Sequence, residues 1–344
     1  MCQETKSIAT LAPSGNDDAD LTSVGAPTAS GGWIGKLVSL GVSIAILAVL
    51  WSSARQADLL GTIGQVDPRY LALAAALMPV AMATRGFRLD RILGKSGVRL
   101  GLRRATIITF VGTSLNVLLP SNLGDVAKAY YGYRYGLAKE IVLSVVIIDK
   151  AFGMIAAMLV GVAAAASEGL WAAMMLAGAI AAALIVLVFV PQLIPWRLMG
   201  WVLNKVLGKR LGHERALEAS RLPIGLKLAA MGLSLLACGL AYGQYYLICR
   251  ALHLPVPMAF VLLAAPLMDL AKAIPLTANG LGTREAVAVY VFGRIGVASG
   301  EALLSSLIFT AVSLWLPALV GAPFVWLALR GRRRNARSAR AASG

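Results

Sequence analysis

The chain has 344 residues, with 32 Lys and Arg against 16 Asp and Glu, a formal charge of +16. It is 58% hydrophobic and 14% charged, with a mean hydropathy of +0.76. A soluble domain carries about 25% charged residues, so a globule in water is excluded, and the apolar content excludes disorder over most of the length.

The isoelectric point near 10.2 does not indicate a nucleic-acid partner. The basic residues sit in blocks between long apolar runs, the pattern of a polytopic membrane protein. Cys2, Cys238 and Cys249 have no metal spacing and no disulfide framework. With His213 and His253 as the two histidines, a histidine metal site or a Ser-His-Asp triad is not expected. No cofactor, metal or catalytic residue is assigned.

Residues 1–32 are polar and hold Asp17, Asp18 and Asp20. They read as a disordered cytoplasmic tail, since no basic segment leads directly into an apolar one as in a signal peptide. Eight apolar runs follow, at 33–53, 68–84, 106–120, 141–166, 170–190, 226–249, 258–275 and 302–329. A span needs about 20 apolar residues. The run 106–120 is short, and 258–275 contains Pro266, Asp269 and Lys272. Both end in Pro/Gly-rich sequence and are expected to be broken or re-entrant helices.

Charge parity gives the topology. Loop 85–104 and loop 192–227 carry seven basic residues each, and the tail carries six, from Arg330 to Arg340. The positive-inside rule makes all three cytoplasmic. Connections 54–67, 167–169 and 251–257 hold one basic residue, Arg55, and are expected outside. The run 106–120 must then return to the cytoplasmic side. The stretch 258–300 dips in from outside or crosses twice, and the dip is favoured. The expected fold is an all-α polytopic membrane protein with about six spans and two re-entrant or broken helices. The membrane domain is 33–330, the basic cytoplasmic tail is 331–344, and both termini are cytoplasmic.

The two broken regions resemble each other. One runs from Asn116 to Lys128 through Pro120, Gly124 and Asp125; the other runs from Lys272 to Glu285 through Pro275, Gly280, Gly282 and Arg284. At an offset of 160, Asp125 pairs with Glu285, Tyr130 with Tyr290, Arg134 with Arg294 and Gly136 with Gly296. Weak internal repeats of opposite orientation are a transporter design, with the site at broken helices near the midplane.

The charged residues in these runs come in pairs: Asp125 with Lys128, Asp149 with Lys150, Asp269 with Lys272, and Arg284 beside Glu285. A charge at the bilayer centre costs roughly 2.5–3.5 kcal/mol on insertion scales, so each needs a partner or a wet cavity. The pairs could simply neutralise each other and join helices, above all Asp149 and Lys150, which point apart and each need another partner. In the Pro/Gly segments a ligand site is favoured, because irregular backbone at depth is tolerated when it is buried or lines a cavity. Gly280 and Gly282 permit positive φ and close approach. A helix opening at 283–285 offers free N–H groups to phosphate, and Arg284 adds a planar donor fork. A tight turn capped by Thr283 is the plainer alternative. In loop 85–104, Arg85, Arg88 and Arg91 alternate with apolar residues, and the loop either holds anionic headgroups or sets topology alone.

At Arg85, Asn116, Pro120, Gly124, Asp125, Lys128, Asp149, Lys150, Pro275, Gly280, Gly282, Arg284 and Glu285 the chain resembles the lysylphosphatidylglycerol synthase transmembrane-region family of flippase-like membrane proteins. The resemblance covers about residues 33–330. It departs where the family usually has Arg at 128 and Glu-Arg at 149–150. It implies movement of a lipid between leaflets of the inner membrane, or an accessory role in making a lipid or envelope glycan; relatives that accompany hopanoid synthesis make a polycyclic terpenoid cargo conceivable. Full-length synthases carry a soluble transferase domain, so aminoacyl transfer by this chain alone is not expected.

The reading reached is a transporter of an anionic or isoprenoid-type lipid. Arg284, Lys128 and Lys272 would bind the headgroup, and Asp125, Asp269 and Glu285 would balance charge or carry a proton. A membrane glycosyl or acyl transferase and an accessory subunit of a lipid-biosynthetic complex are the rivals. Expected partners are membrane lipids and lipid-biosynthesis enzymes.

Overall fold

Asp67 and Pro68 show how these sequences begin a helix in lipid. The Asp67 carboxylate accepts the Arg69 N–H at 2.9 Å, and Pro68 follows at the first helical position, where its missing N–H costs nothing. The computed structural model describes residues 41–50, 52, 64–118, 139–190, 221–273, 277 and 280–326, with no strand among them.

The helices are α1 (Gly41–Leu50), α2 (Pro68–Gly94), α3 (Leu102–Leu118), α4 (Lys139–Ser167), α5 (Trp171–Phe189), α6 (Ile224–Ala251), α7 (Met258–Ala273), α8 (Thr283–Gly293) and α9 (Ser299–Trp326). Helix α9 contains a π turn at Ala311–Trp315. Among the described residues five helices, α2, α4, α5, α6 and α9, are long and apolar enough to cross a membrane. The chain is an all-α polytopic membrane protein. α1 falls in the expected span 33–53, whose remaining residues, apart from Ser52, lie outside the described ones.

The two helices read as broken are described over Leu102–Leu118 (α3) and Met258–Ala273 (α7). α8, which follows the turn at Gly280 and Gly282, has 11 residues.

The first copy of the repeat read at an offset of 160 lies, apart from 116–118, outside the described residues.

α2 and α6 pack antiparallel, because contacts that climb one helix descend the other. The Asp67 N–H donates to Ala251 O at 2.9 Å, Gln244 Nε2 to Ala74 O at 2.8 Å, and Arg88 Nη1 to Ser234 Oγ at 2.5 Å. α4 runs alongside α6 in the same direction, with Asp149 and Gly153 at the levels of Ser234 and Cys238.

The stretch 85–104 is a correction. It is not a loop: α2 continues to Gly94, and only residues 95–101 separate it from α3. Arg88 and Asp90 are buried. Asp90 Oδ1 accepts the N–H groups of Leu100 at 2.7 Å and Gly101 at 2.9 Å, which sets the turn before α3. Their charges are answered inside the protein, so the helix does not have to stop for water. At Gly86 a Cβ would stand 2.8 Å from Thr106 Cα, and its absence lets α3 fold back against α2.

Candidate functional site

The turn before α8 is built on two glycines. Gly280 has φ +80° and Gly282 has φ +92°, the left-handed region where a side chain is strained. A Cβ on Gly280 would lie 3.0 Å from Lys272 Cβ and 3.2 Å from Arg284 Cδ; one on Gly282 would lie 3.0 Å from Ile46 Cβ of α1. The glycines therefore bring Lys272 and Arg284 to one place and seat the turn against α1.

Gly282 is the N-cap of α8. Thr283, expected as the cap, is the first helical residue; its hydroxyl donates to Gly280 O at 3.1 Å and lies 3.2 Å from Thr277 Oγ1. Capping comes from Glu285 instead. Its Oε2 accepts the Gly282 N–H at 2.6 Å, and its Oε1 accepts the Thr310 hydroxyl of α9 at 3.3 Å. Glu285 is completely buried, and a carboxylate in the first turn also suits the positive helix end.

Arg284 is the exception to this satisfaction. It is 4% exposed, and its Nε is buried without a hydrogen-bond partner. Its guanidinium sits 5.4 Å above the Phe309 ring, an attraction worth roughly 0.5–2 kcal/mol. The expected pairing with Glu285 is corrected: the carboxylate faces Gly282 and Thr310, because the adjacent residue on a helix points away.

A second polar cluster joins α2, α4 and α6. Arg88 Nε donates to Asp149 Oδ1 at 2.7 Å, and Arg88 Nη1 donates to Ser234 Oγ, which in turn donates to Ala230 O at 2.6 Å. Gly153 faces the guanidinium, and a Cβ there would make ordinary contact with Nη1 at 3.7 Å. Asp149 thus pairs with Arg88 and not with Lys150, which is exposed. Arg85 is half-buried one turn before Arg88, and both lie within electrostatic range of Cys238.

Between the clusters, Asp269 Oδ2 accepts the Tyr242 hydroxyl at 3.1 Å. Asn116 is half-buried near the end of α3. Of the other expected site residues, Pro120, Gly124, Asp125, Lys128 and Pro275 lie outside the described residues. Ser234, Tyr242 and Thr310 are not among the residues that the sequence singles out; Arg88 is, within the basic stretch 85–104, but not as the partner of Asp149. The signal of the others in the sequence is faint: polar residues at helical spacing in α6 and one threonine in α9. Among the described residues no three of His, Cys, Asp and Glu converge as metal ligands would.

The architecture, all-helical with five helices long and apolar enough to cross a membrane among the described residues, agrees with a comparison against family models. The model for the lysylphosphatidylglycerol synthase TM region matches residues 36–321. The chain belongs to that family. Among curated proteins none matches. As a lysylphosphatidylglycerol synthase TM-region protein it is a multi-pass membrane protein connected with lipids, and the matched region takes in α1 to α8 and most of α9. In this family member Arg284, with its Nε unpartnered, stands in the first turn of α8, and a guanidinium near a helix N-terminus is chemistry that can hold an anion.

Proposed function

We propose that this chain is a transporter, not an enzyme, which moves a lipid with an anionic or isoprenoid-phosphate headgroup between the leaflets of the inner membrane, with both termini in the cytoplasm. Its setting is cell-envelope or hopanoid lipid synthesis. One observation carries the reading: Arg284 is 4% exposed and keeps its Nε without a partner. A buried cation with an unsatisfied N–H is expensive, and charged groups inside membranes mark ligand or ion pathways. Glu285 does not answer it, because both carboxylate oxygens are engaged elsewhere. A phosphate would complete the guanidinium fork and draw on the α8 terminus as well.

The inverted repeat expected from the sequence suits such a task, since rocking one unit against the other would expose a central site to each side in turn. The test uses the full chain in vesicles of phosphatidylcholine and phosphatidylglycerol, with phosphatidylglycerol labelled on an acyl chain by a fluorophore that an impermeant reductant bleaches from outside. Wild type is expected to equilibrate the label between leaflets, and Arg284→Ala to stop it at normal expression. Equal rates in both, or a new lipid product after incubation with an activated donor, would remove the transport reading.

A further inference from the structure

The two buried guanidinium groups are held in opposite ways. Arg88 Nε donates to Asp149 and Nη1 donates to Ser234, so its charge is neutralised and its edge is engaged. Arg284 Nε is buried without an acceptor, and Glu285 beside it is engaged by Gly282 and Thr310. What lies against the Arg284 guanidinium is the Phe309 ring of α9, with its centroid 5.4 Å away.

The difference has a chemical consequence. A carboxylate binds a guanidinium through its in-plane N–H groups, the same groups that bind a phosphate. An aromatic ring attracts the cation through the negative charge of its face and takes up none of those N–H groups. A ring can therefore hold the cation in place and leave its donors to a ligand.

The ring is itself fixed. Phe309 is buried. Tyr245 of α6 stacks on it at 4.5 Å with the planes 12° apart, and Tyr245 also stacks on Phe292 of α8 at 5.6 Å. The Tyr245 hydroxyl lies 3.4 Å from Ser305 Oγ, which ties the stack back to α9. Residues of three helices thus set the plane of the ring. Ser306, three residues before Phe309 and so its neighbour on one face of α9, also has its Oγ buried without a partner. The stem of Arg284 is guided as well, since it passes so close to Gly280 that a Cβ there would stand 3.2 Å from Arg284 Cδ.

We propose that Phe309 is a positioning residue, which holds Arg284 by its ring face and so keeps the guanidinium edge for the phosphate of a lipid headgroup. This rests on the transport reading and adds to it the group that orients the binding cation.

The test separates the charge of the ring face from its bulk. In the full chain, in the vesicles described above, Phe309 is replaced by mono-, tri- and pentafluorophenylalanine. Fluorine withdraws the negative charge of the face and leaves an aromatic ring of nearly the same shape. Transfer of labelled phosphatidylglycerol is expected to slow stepwise along the series, to about tenfold at pentafluorophenylalanine. The melting temperature is expected to stay at the wild-type value or rise, because an electron-poor ring still stacks on Tyr245. Phe309→Leu, which keeps apolar bulk and loses the ring, is expected to slow transfer at least as much. Pentafluorophenylalanine at Phe324, an exposed position on α9, is the control with unchanged rate.

A wild-type rate with pentafluorophenylalanine at 309, while Arg284→Ala stops transfer, would overturn the positioning role and leave the transport reading standing. A loss of rate that follows a loss of melting temperature along the series would reduce Phe309 to packing and overturn it equally. If Arg284→Ala changes nothing, both readings fall.

Discussion

Arg88 of α2 donates to Asp149 of α4 at 2.7 Å across 61 residues of sequence, with both side chains almost fully buried. Removing one member of a buried ion pair leaves the other charge stranded, at a cost of about 3–5 kcal/mol, whereas apolar replacement of both is often tolerated. Arg88→Ala and Asp149→Ala are therefore expected to lower the melting temperature in detergent sharply. The double variant Arg88→Met with Asp149→Leu is expected to recover most of the loss. Equal instability of single and double variants would show that the pair is not the unit that matters.

Helix spacing is set by glycines that differ in kind. At Gly321 a Cβ would stand 2.7 Å from the Phe110 carbonyl carbon and against the Ser114 hydroxyl, which bonds Ala318 O at 2.7 Å. Gly321→Ala is expected to push α9 off α3 and cost about 1–3 kcal/mol. Gly239 on α6 has nothing within 4 Å, and Gly239→Ala is expected to raise the melting temperature through helix propensity, by up to about 1 kcal/mol. Thermal melts of the two variants side by side check both signs.

Glu285 separates charge from geometry at the α8 turn. Glu285→Gln keeps an acceptor for the Gly282 N–H and forfeits only the interaction with the helix end, about 0.3–1 kcal/mol. Glu285→Ala strands that N–H and the Thr310 hydroxyl, at about 1–3 kcal/mol. Hydrogen exchange at the Gly282 amide should be near wild type in the first variant and much faster in the second.

His253 holds a left-handed conformation, φ +55°, just past the end of α6, where Leu254 N–H reaches back to Cys249 O at 3.0 Å. Glycine is the residue suited to that position. His253→Gly is expected to stabilise the protein by about 1 kcal/mol, read as a higher melting temperature with unchanged lipid transfer.

Partner choice explains where the reading from sequence fell short. The stretch 85–104 reads as a cytoplasmic loop because it holds seven basic residues, which the positive-inside rule places in the cytoplasm. Arg88 is answered by a carboxylate that no local rule connects to it. For Asp149 beside Lys150 the sequence already says that adjacent side chains point apart and need other partners, but not which. For Arg284 beside Glu285 the same geometry holds, and the partners of Glu285 are Gly282 and Thr310.

From the amino-acid order alone came the membrane class, the long apolar helices, and the positive φ at Gly280 and Gly282. These are local properties: hydropathy summed over a window, helix period, and the conformational freedom of glycine. Tertiary structure alone decided that Arg88 meets Asp149 and Ser234, that Glu285 is spent on Gly282 and Thr310, and that Arg284 is left open over Phe309. Those outcomes depend on the antiparallel register of α2 and α6 and on the seat of α8 against α9. Register is set by how whole helix faces pack, and no window along one strand of sequence contains it.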